Sequence, residues 1–319
     1  MFQEKATRFS LSVYGKVGYP LRSSPKAPLF TGCATALVTP FRGGAPDWDA
    51  FRALVERQLA QRVDALVVCA TTGEAPTLRH EERTALIKAC VDQTAGRAPV
   101  IAGTGSNDTA HAVALSQEAE ALGADGVLVV TPYYNKATQT GLVAHYTAIA
   151  DAVHLPVIVY NVPSRTGLSC SAETYAALAE HPNIVGVKEA SGNFALIQDT
   201  RNRCGDDFCV WSGNDEDTTA ILALGGAGVI STAANLIPGD MRELTRLCLS
   251  GSLHKAGVLQ LRMTELLRAL FCEVNPIPVK TAMARLGLCT DELRLPLCAM
   301  QPENRERLFA AMDAYGVRA

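Results

Sequence analysis

Short apolar runs alternate with amphipathic stretches of roughly a dozen residues from about residue 32 onward. Helix-like stretches occupy residues 47–61 and 111–122, where apolar side chains recur on one face. Asn107-Asp108 offers an N-cap and Gly123 a stop for the second stretch. The strand-like runs are residues 33–39, 65–70, 100–103, 126–131, 157–162, 184–190, 209–212 and 228–233.

Strands that alternate with helices predict parallel pairing through right-handed crossovers. Eight such units predict an α/β fold, a closed (β/α)8 TIM barrel. An open doubly wound sheet is the alternative, but residues 38–41 carry no glycine fingerprint after the first strand. After about residue 250 the pattern becomes helical, over residues 253–270, 278–288 and 302–315. We therefore predict an N-terminal extension (1–30), a barrel (31–251) and a small C-terminal helical domain (252–319).

Composition narrows the class of protein. The chain has 319 residues, of which 48% are hydrophobic and 19% charged, which supports a large core and argues against disorder. A net charge of −3 gives no reason to expect binding to nucleic acid or to a membrane. Residues 1–28 lack a continuous apolar segment, so we expect a flexible extension and no signal peptide.

The cysteines and histidines show no metal-ligand spacing. The ten Cys include no C-x-x-C pair, and the six His form no H-E-x-x-H or comparable cluster. We expect free thiols in a reducing cytoplasm, and no metal site.

One lysine stands out within an apolar strand-like run. Because side chains alternate along a strand, Lys188 would share one face of the sheet with Ile184, Gly186 and Ala190. The other face would carry Val185, Val187 and Glu189. An ammonium among such neighbours is unfavourable, so its pKa should fall from about 10.4. A neutral lysine amine attacks carbonyls to form a Schiff base. The alternatives are a strand-end lysine that reaches water, and Lys280 as a weaker candidate nucleophile.

Polar side chains gather where the predicted strands end, which is where barrel enzymes place reacting groups. These ends carry Thr71-Thr72-Gly73-Glu74, Thr131-Pro132-Tyr133-Tyr134-Asn135, Tyr160-Asn161-Val162-Pro163-Ser164-Arg165-Thr166-Gly167 and Ser212-Gly213-Asn214-Asp215. Each fragment alone is compatible with a turn, a cap, rim packing or a solvated charge. Together they predict one active site that contains a lysine, phenols, hydroxyls and a guanidinium.

These fragments, in this order, resemble the dihydrodipicolinate synthase (4-hydroxy-tetrahydrodipicolinate synthase) family, from about Leu29 to the end of the chain. Further matching motifs are Val-Ile-Ala-Gly-Thr-Gly at 100–105, Val-Lys-Glu-Ala at 187–190 and Asn-Pro-Ile-Pro-Val-Lys at 275–280. The resemblance implies a lyase of lysine and diaminopimelate biosynthesis that condenses pyruvate with L-aspartate 4-semialdehyde. It implies no metal and no organic cofactor, and a homotetramer built from two tight dimers.

The resemblance also implies roles for individual residues. Lys188 would form the imine with pyruvate, and Tyr160 would transfer protons beside it. Thr71 and Tyr134 would complete the relay, with Tyr134 crossing a subunit interface. The remaining positions would bind substrate: Thr72 the pyruvate carboxylate, together with backbone N–H groups of its turn, Arg165 the carboxylate of the second substrate, and Gly213 and Ile230 the imine pocket.

Some positions depart from the family pattern. Ala70 replaces a usual glycine before the two threonines. His111 stands where members sensitive to L-lysine carry glutamate, and Pro76 and Arg83 also differ, so we expect weak or absent feedback inhibition. Two other functions stay open. One is a sibling aldolase or dehydratase for a sugar acid, against which Arg165 and the Tyr133-Tyr134 pair argue; the other is a non-enzymatic pyruvate-binding barrel.

Overall fold

The computed structural model describes residues 26–318. Its strands are β1 Gly32–Ala36, β2 Phe41–Arg42, β3 Ala45–Pro46, β4 Ala65–Val68, β5 Val100–Gly103, β6 Gly126–Val130, β7 Val157–Asn161, β8 Ile184–Glu189, β9 Cys209–Ser212 and β10 Gly228–Ser231. Its helices are α1 Trp48–Ala60, α2 His80–Thr94, α3 Thr109–Ala121, α4 Gln139–Asp151, α5 Pro163–Thr166, α6 Ala172–Ala179, α7 Phe194–Cys204, α8 Thr218–Ala223, α9 Pro238–Leu249, α10 Leu253–Ala269, α11 Ile277–Arg285 and α12 Pro302–Tyr315.

Eight strands form a closed parallel barrel in the order β1, β4, β5, β6, β7, β8, β9, β10, and β10 pairs with β1. The predicted (β/α)8 fold is therefore confirmed. The predicted strands are all present, although several of the apolar runs continue past the last paired residue. Leu37 and Val38, for example, follow β1 and are buried in loop conformation. The short β2–β3 hairpin after β1 was not predicted.

Side-chain alternation divides the barrel core into two layers. In β4, Ala65 and Val67 join the cluster inside the barrel, whereas Leu66 and Val68 join the cluster between strands and helices. Helix starts follow local capping rules, because Asp108 accepts a hydrogen bond from the Ala110 N–H (3.0 Å) at the start of α3. Among residues 26–318, no helix is long and apolar enough to cross a bilayer.

The strand that carries Lys188 breaks the strict alternation that we predicted. Val157 pairs with Ile184 but Ile158 pairs with Gly186, so Val185 is an extra residue opposite β7. Such a bulge turns the preceding residue to the other face. Ile184 accordingly lies in the outer layer and Val185 in the inner one, and the faces predicted for these two residues are wrong.

The C-terminal helices pack against the barrel through a shared apolar cluster. Leu236 and Met241, from the end of the barrel, contact the same cluster as Met263, Leu267 and Met312 from α10 and α12. The helices predicted after residue 250 are present, and the domain boundary at residue 252 stays a prediction.

The described chain begins at the amino-terminal end of the barrel. The extension predicted over residues 1–28 lies outside the described residues except for residues 26–28. The Lys26 ammonium donates to the carbonyls of Ala179, His181 and Ile184 at 2.6–2.9 Å. These contacts attach the start of the described chain beneath the strand that carries Lys188.

Candidate active site

A cavity of about 570 Å³ opens at the carboxyl ends of the barrel strands. Its walls include three of the predicted site residues, Thr71, Tyr160 and Arg165, together with Tyr133. Tyr160 lies near the carboxyl end of β7, and the segments after β4, β6 and β7 carry Thr71, Tyr133 and Arg165. They meet because the carboxyl ends of parallel strands lie at one end of a barrel. The predicted gathering of polar groups at one mouth is thus present.

Lys188 and Tyr160 lie side by side on neighbouring strands. They are paired in register between β8 and β7, and Lys188 Nζ lies 4.3 Å from the centroid of the Tyr160 ring. Both side chains are buried, and Lys188 is only 4% exposed. Glu189 faces the opposite way, as predicted, and accepts a hydrogen bond from the Tyr175 hydroxyl at 2.7 Å. The amine is therefore held against a phenol ring, and its adjacent carboxylate is engaged elsewhere.

Gly213 provides the space that the lysine side chain needs. A Cβ atom at Gly213 would lie 3.2 Å from Lys188 Cε and 2.7 Å from Ala190 Cβ. Gly186, on the same strand as Lys188, does not provide this space. A Cβ at Gly186 would overlap the Cys209 carbonyl of the neighbouring strand β9. Ile230 lies on β10 inside the barrel, in the same inner cluster as Tyr160.

Thr72 is buried behind the cavity, and its hydroxyl is surrounded by polar partners. Asn275 Nδ2 donates to Thr72 Oγ1 at 2.9 Å, and Thr232 Oγ1 lies 3.3 Å from the same oxygen. Two backbone N–H groups of the turn are engaged within it, and those of Thr71 and Thr72 donate to no protein group among the described residues. The N–H groups of Gly73 and Glu74 already donate to the carbonyls of Ala70 and Thr71. The predicted use of the Thr72 hydroxyl and of backbone N–H groups of its turn to bind an anion therefore stays a prediction.

Arg165 lies in the short helix α5, which ends at Gly167 in a left-handed conformation (φ 66°). Its Nη2 donates to the Asn275 carbonyl at 3.2 Å. The guanidinium remains partly exposed at the cavity wall, so its other donors are accessible to a carboxylate.

Tyr134 is not brought into this site by the single chain. Its side chain is 88% exposed, whereas Tyr133 lines the cavity. Tyr134 also adopts a left-handed backbone conformation (φ 71°), which is unfavourable for a bulky residue. An exposed aromatic on a strained loop is typical of a functional surface rather than of core packing.

The Lys280 side chain is surrounded by hydrogen-bond and ion-pair partners, as is typical of a lysine with a structural role. Its ammonium forms an ion pair with Glu74 Oε1 at 2.8 Å, and both side chains are fully buried. It also donates to the carbonyls of Thr39, at 3.0 Å, and Glu292. Burial lowers the pKa of Lys280, and the charge of Glu74 opposes that shift. Lys280 thereby connects α11 to the turn that contains Thr72, through Glu74.

Two polar residues near the site, Asn275 and Thr232, were given no role by sequence reasoning, and Asp215 was noted only as part of a strand end. Asp215 is fully buried, and its Oδ2 accepts the N–H groups of Thr232 (3.2 Å) and Ala233 (2.9 Å). Burial raises the pKa of this carboxyl, and the positive charge of Lys188 is among the effects that oppose the rise. The Asn-Pro-Ile-Pro-Val-Lys motif at 275–280 is the sequence signal that contains Asn275.

The positions that depart from the family pattern line the same cavity. These are Pro76, Arg83 and His111, with His80 and Asn107 beside them. Arg83 is buried and donates to the Gly103 carbonyl. Among residues 26–318, no group of three or more His, Cys, Asp or Glu side chains has the arrangement of a metal site.

Comparisons with known proteins agree with this geometry. The sequence profile of the Dihydrodipicolinate synthetase family matches residues 29–315. A 4-hydroxy-tetrahydrodipicolinate synthase of Geobacter metallireducens is 50% identical over 287 residues, which cover 90% of this chain and 99% of the relative.

Solved structures give the same result. Dihydrodipicolinate synthase from Aquifex aeolicus superposes with a TM-score of 0.89 at 45% identity, covering 90% of this chain and 99% of that one. A structure described as the first monomeric dihydrodipicolinate synthase variant gives 0.89 at 43% identity, covering 91% and 98%. The chain therefore belongs to the dihydrodipicolinate synthetase family.

Proposed function

We propose that this lyase condenses pyruvate with L-aspartate 4-semialdehyde, the reaction of the 4-hydroxy-tetrahydrodipicolinate synthases that it resembles, in the diaminopimelate route to L-lysine. The observation that carries the proposal is the buried Lys188 amine, 4.3 Å from the Tyr160 ring at the mouth of the barrel. Within residues 26–318 this amine has no hydrogen bond or ion pair, and such an amine is suited to attack a carbonyl.

The chemistry begins when the Lys188 amine attacks the keto carbon of pyruvate and water leaves, which forms an iminium. The iminium withdraws electrons from the methyl group, so that loss of a methyl proton gives an enamine. The enamine carbon then attacks the aldehyde of the second substrate. Finally the amine of that substrate displaces Lys188 as the ring closes, and the free enzyme returns.

Each of these steps moves a proton within a buried site, which favours a relay of hydroxyl groups over a single base. Tyr160 is the phenol next to the amine, and Thr71 lies on the same cavity wall. Tyr134 supplies the third hydroxyl from a neighbouring subunit. Its exposure in the single chain supports this assignment, because a partner surface would cover it.

Two groups receive the substrate carboxylates. The buried Thr72 hydroxyl binds the carboxylate of pyruvate, next to the pocket formed by Gly213 and Ile230. Arg165, at the outer wall, binds the carboxylate of L-aspartate 4-semialdehyde, for which the planar guanidinium is well suited. The deeper of these two positions belongs to pyruvate, because pyruvate reacts first and must lie nearest Lys188.

The assembly that we propose is a homotetramer made of two dimers, in which each dimer completes the sites through Tyr134. The description of one relative as a monomeric variant supports an oligomer as the usual state of those proteins. We place the enzyme in the cytoplasm, because all ten cysteines are free thiols. Six of the ten are buried.

Borohydride trapping tests the proposal. Reduction in the presence of pyruvate should add one pyruvyl group to the peptide that contains Lys188, as read by mass spectrometry. An adduct on another lysine, or none, would show that the nucleophile is wrong.

A substrate panel then tests which aldehyde the enamine attacks. Turnover with L-aspartate 4-semialdehyde should exceed turnover with any sugar acid. The opposite order would favour the sibling aldolase, with the same imine but a different second substrate.

A further inference from the structure

Asn275 connects the two groups that we assign to the two substrates. It lies just before α11, buried between the C-terminal helices and the barrel mouth. Its side-chain Nδ2 donates to Thr72 Oγ1 at 2.9 Å and lies 3.5 Å from Thr232 Oγ1. Its backbone carbonyl accepts Arg165 Nη2 at 3.2 Å. One residue therefore contacts the pyruvate-binding hydroxyl through its side chain and the guanidinium through its backbone.

The direction of these hydrogen bonds determines where the Thr72 proton points. An amide nitrogen only donates, so the contact with Asn275 does not consume the proton of the Thr72 hydroxyl. Thr232 Oγ1, 3.3 Å away, fills the second acceptor position of Thr72 when it donates. Either hydroxyl can donate across this pair; when Thr232 donates, both acceptor positions of Thr72 are occupied and its O–H is left for a third group. We assign the substrate carboxylate as that group.

The opposite orientation of the amide is less favourable. It would place Nδ2 where Oδ1 now lies, and Oδ1 has no hydrogen-bond partner among the described residues. Two buried N–H donors would then be unsatisfied instead of one buried carbonyl oxygen, at a greater free-energy penalty. The reversed amide would also take the Thr72 proton for its own oxygen.

The loop that carries Asn275 is anchored close by. Lys280, one turn further along, is paired with Glu74 at 2.8 Å, and Glu74 belongs to the same turn as Thr72. Both ends of the Asn275–Thr72 contact are therefore attached to one buried ion pair. This arrangement holds the amide in place before any substrate arrives.

We propose that Asn275 is a positioning residue that aims the Thr72 hydroxyl proton at the carboxylate of the keto acid. The inference rests on the proposed function, in which Thr72 binds pyruvate. The backbone carbonyl of Asn275 orients Arg165, and this contact does not depend on the Asn275 side chain. Substitution of the side chain should therefore affect the two substrates unequally.

The experiment measures how borohydride trapping on Lys188 depends on pyruvate concentration, alongside the steady-state KM of each substrate. In Asn275→Ala, the half-saturating pyruvate concentration should rise about tenfold, because one hydrogen bond that orients a donor to a charged group is lost. The KM for L-aspartate 4-semialdehyde should change less than about twofold, because the carbonyl bond to Arg165 remains.

Asn275→Asp separates positioning from simple packing. The carboxylate has the shape of the amide, but it accepts the Thr72 proton and repels an anionic substrate. We expect its half-saturating pyruvate concentration to exceed that of Asn275→Ala, and to improve at lower pH as the new carboxylate is protonated. If Asn275→Asp binds pyruvate better than Asn275→Ala, the residue only fills space and the proposal is wrong.

Asn183→Ala is the matched control. The Asn183 side chain also donates two hydrogen bonds, to Ala150 and Val153, at the other end of the barrel. Asn183→Ala should lose about as much stability as Asn275→Ala, but its trapping on Lys188 should depend on pyruvate concentration as in the wild type. If Asn275→Ala does not fold, Asn275→Asp and Thr232→Val decide the matter, and unchanged pyruvate dependence in both overturns the inference. Absence of any adduct on wild-type Lys188 would instead overturn the proposed function.

Discussion

Lys188 and Lys280 are both buried, and each lies over an aromatic ring, Tyr160 at 4.3 Å and Phe41 at 4.5 Å. Their hydrogen bonds differ completely. Lys280 donates to the carboxylate of Glu74 and to two backbone carbonyls. Lys188 Nζ has no hydrogen bond or ion pair to any residue between 26 and 318. An ammonium paired in this way is costly to separate from its partners, whereas an amine without such partners is available for chemistry.

The strongest test of this comparison is Lys188→Ala. Without the amine no imine forms, so turnover should fall by at least about a thousandfold. The free energy of unfolding should change by less than about 1 kcal/mol, because the side chain has no hydrogen-bond partner to lose. Coupled assays and urea denaturation measure the two quantities. A large loss of stability would show that Lys188 also supports the fold.

Lys280→Ala should show the reverse pattern. It leaves the Glu74 carboxylate buried without its counter-charge, which typically destabilises a protein by about 3–5 kcal/mol. The folded fraction should still form the pyruvyl adduct on Lys188. Urea denaturation and borohydride trapping on one sample check both points. The double variant Glu74→Gln/Lys280→Met should be more stable than Lys280→Ala, because it leaves no unpaired buried charge.

Gly213→Ala tests whether Lys188 needs space in addition to freedom from partners. The new methyl would lie 3.2 Å from Lys188 Cε and displace the amine from its position beside Tyr160. Misplacement of a reacting group by about 1 Å lowers rates by about a hundredfold. Single-turnover imine formation measures the effect. Gly257→Ala on α10 is the control, since a Cβ there meets nothing within 4 Å.

The surroundings of Lys280 also predict acid sensitivity. Arg294, whose N–H donates to Glu74, pairs with Glu82 and holds the pKa of that carboxyl at about 2, below its usual 4.5. A lowered folded-state pKa stabilises the protein above pH 4.5, and this contribution is lost as the pH falls towards 2. Glu82→Gln should therefore lower the melting temperature by about 2 °C at pH 7. The difference from wild type should vanish near pH 2 in calorimetric scans.

The smallest expected effect concerns L-lysine as an inhibitor. His111, Pro76 and Arg83 depart from the pattern of feedback-sensitive relatives, and all three line the cavity. Millimolar L-lysine should change the steady-state rate by less than about twofold, as for a site that binds it weakly. Inhibition at micromolar concentration would contradict this expectation and show that the cavity still accepts a cationic amino acid.

The barrel was predictable because its evidence is local. Eight apolar runs and the intervening amphipathic stretches follow periods of 2 and 3.6, which the backbone geometry imposes. Lys188 was identified because it interrupts an apolar run. An error arose where a local rule failed, because the bulge at Val185 reversed the predicted facing of Ile184.

The sequence by itself determined the order of the elements and the end of the barrel where polar side chains gather, since both follow from spacing along the chain. It also singled out Lys188 as a candidate, whose role in an imine is implied by the family resemblance and stays a proposal. Only the tertiary structure decided which lysine is satisfied and which is free. Glu74 and Lys280 are 206 positions apart, and Asn275 reaches Thr72 across 203. Partners so distant leave no periodic signal, because their contact depends on how the whole barrel closes and where the C-terminal helices pack.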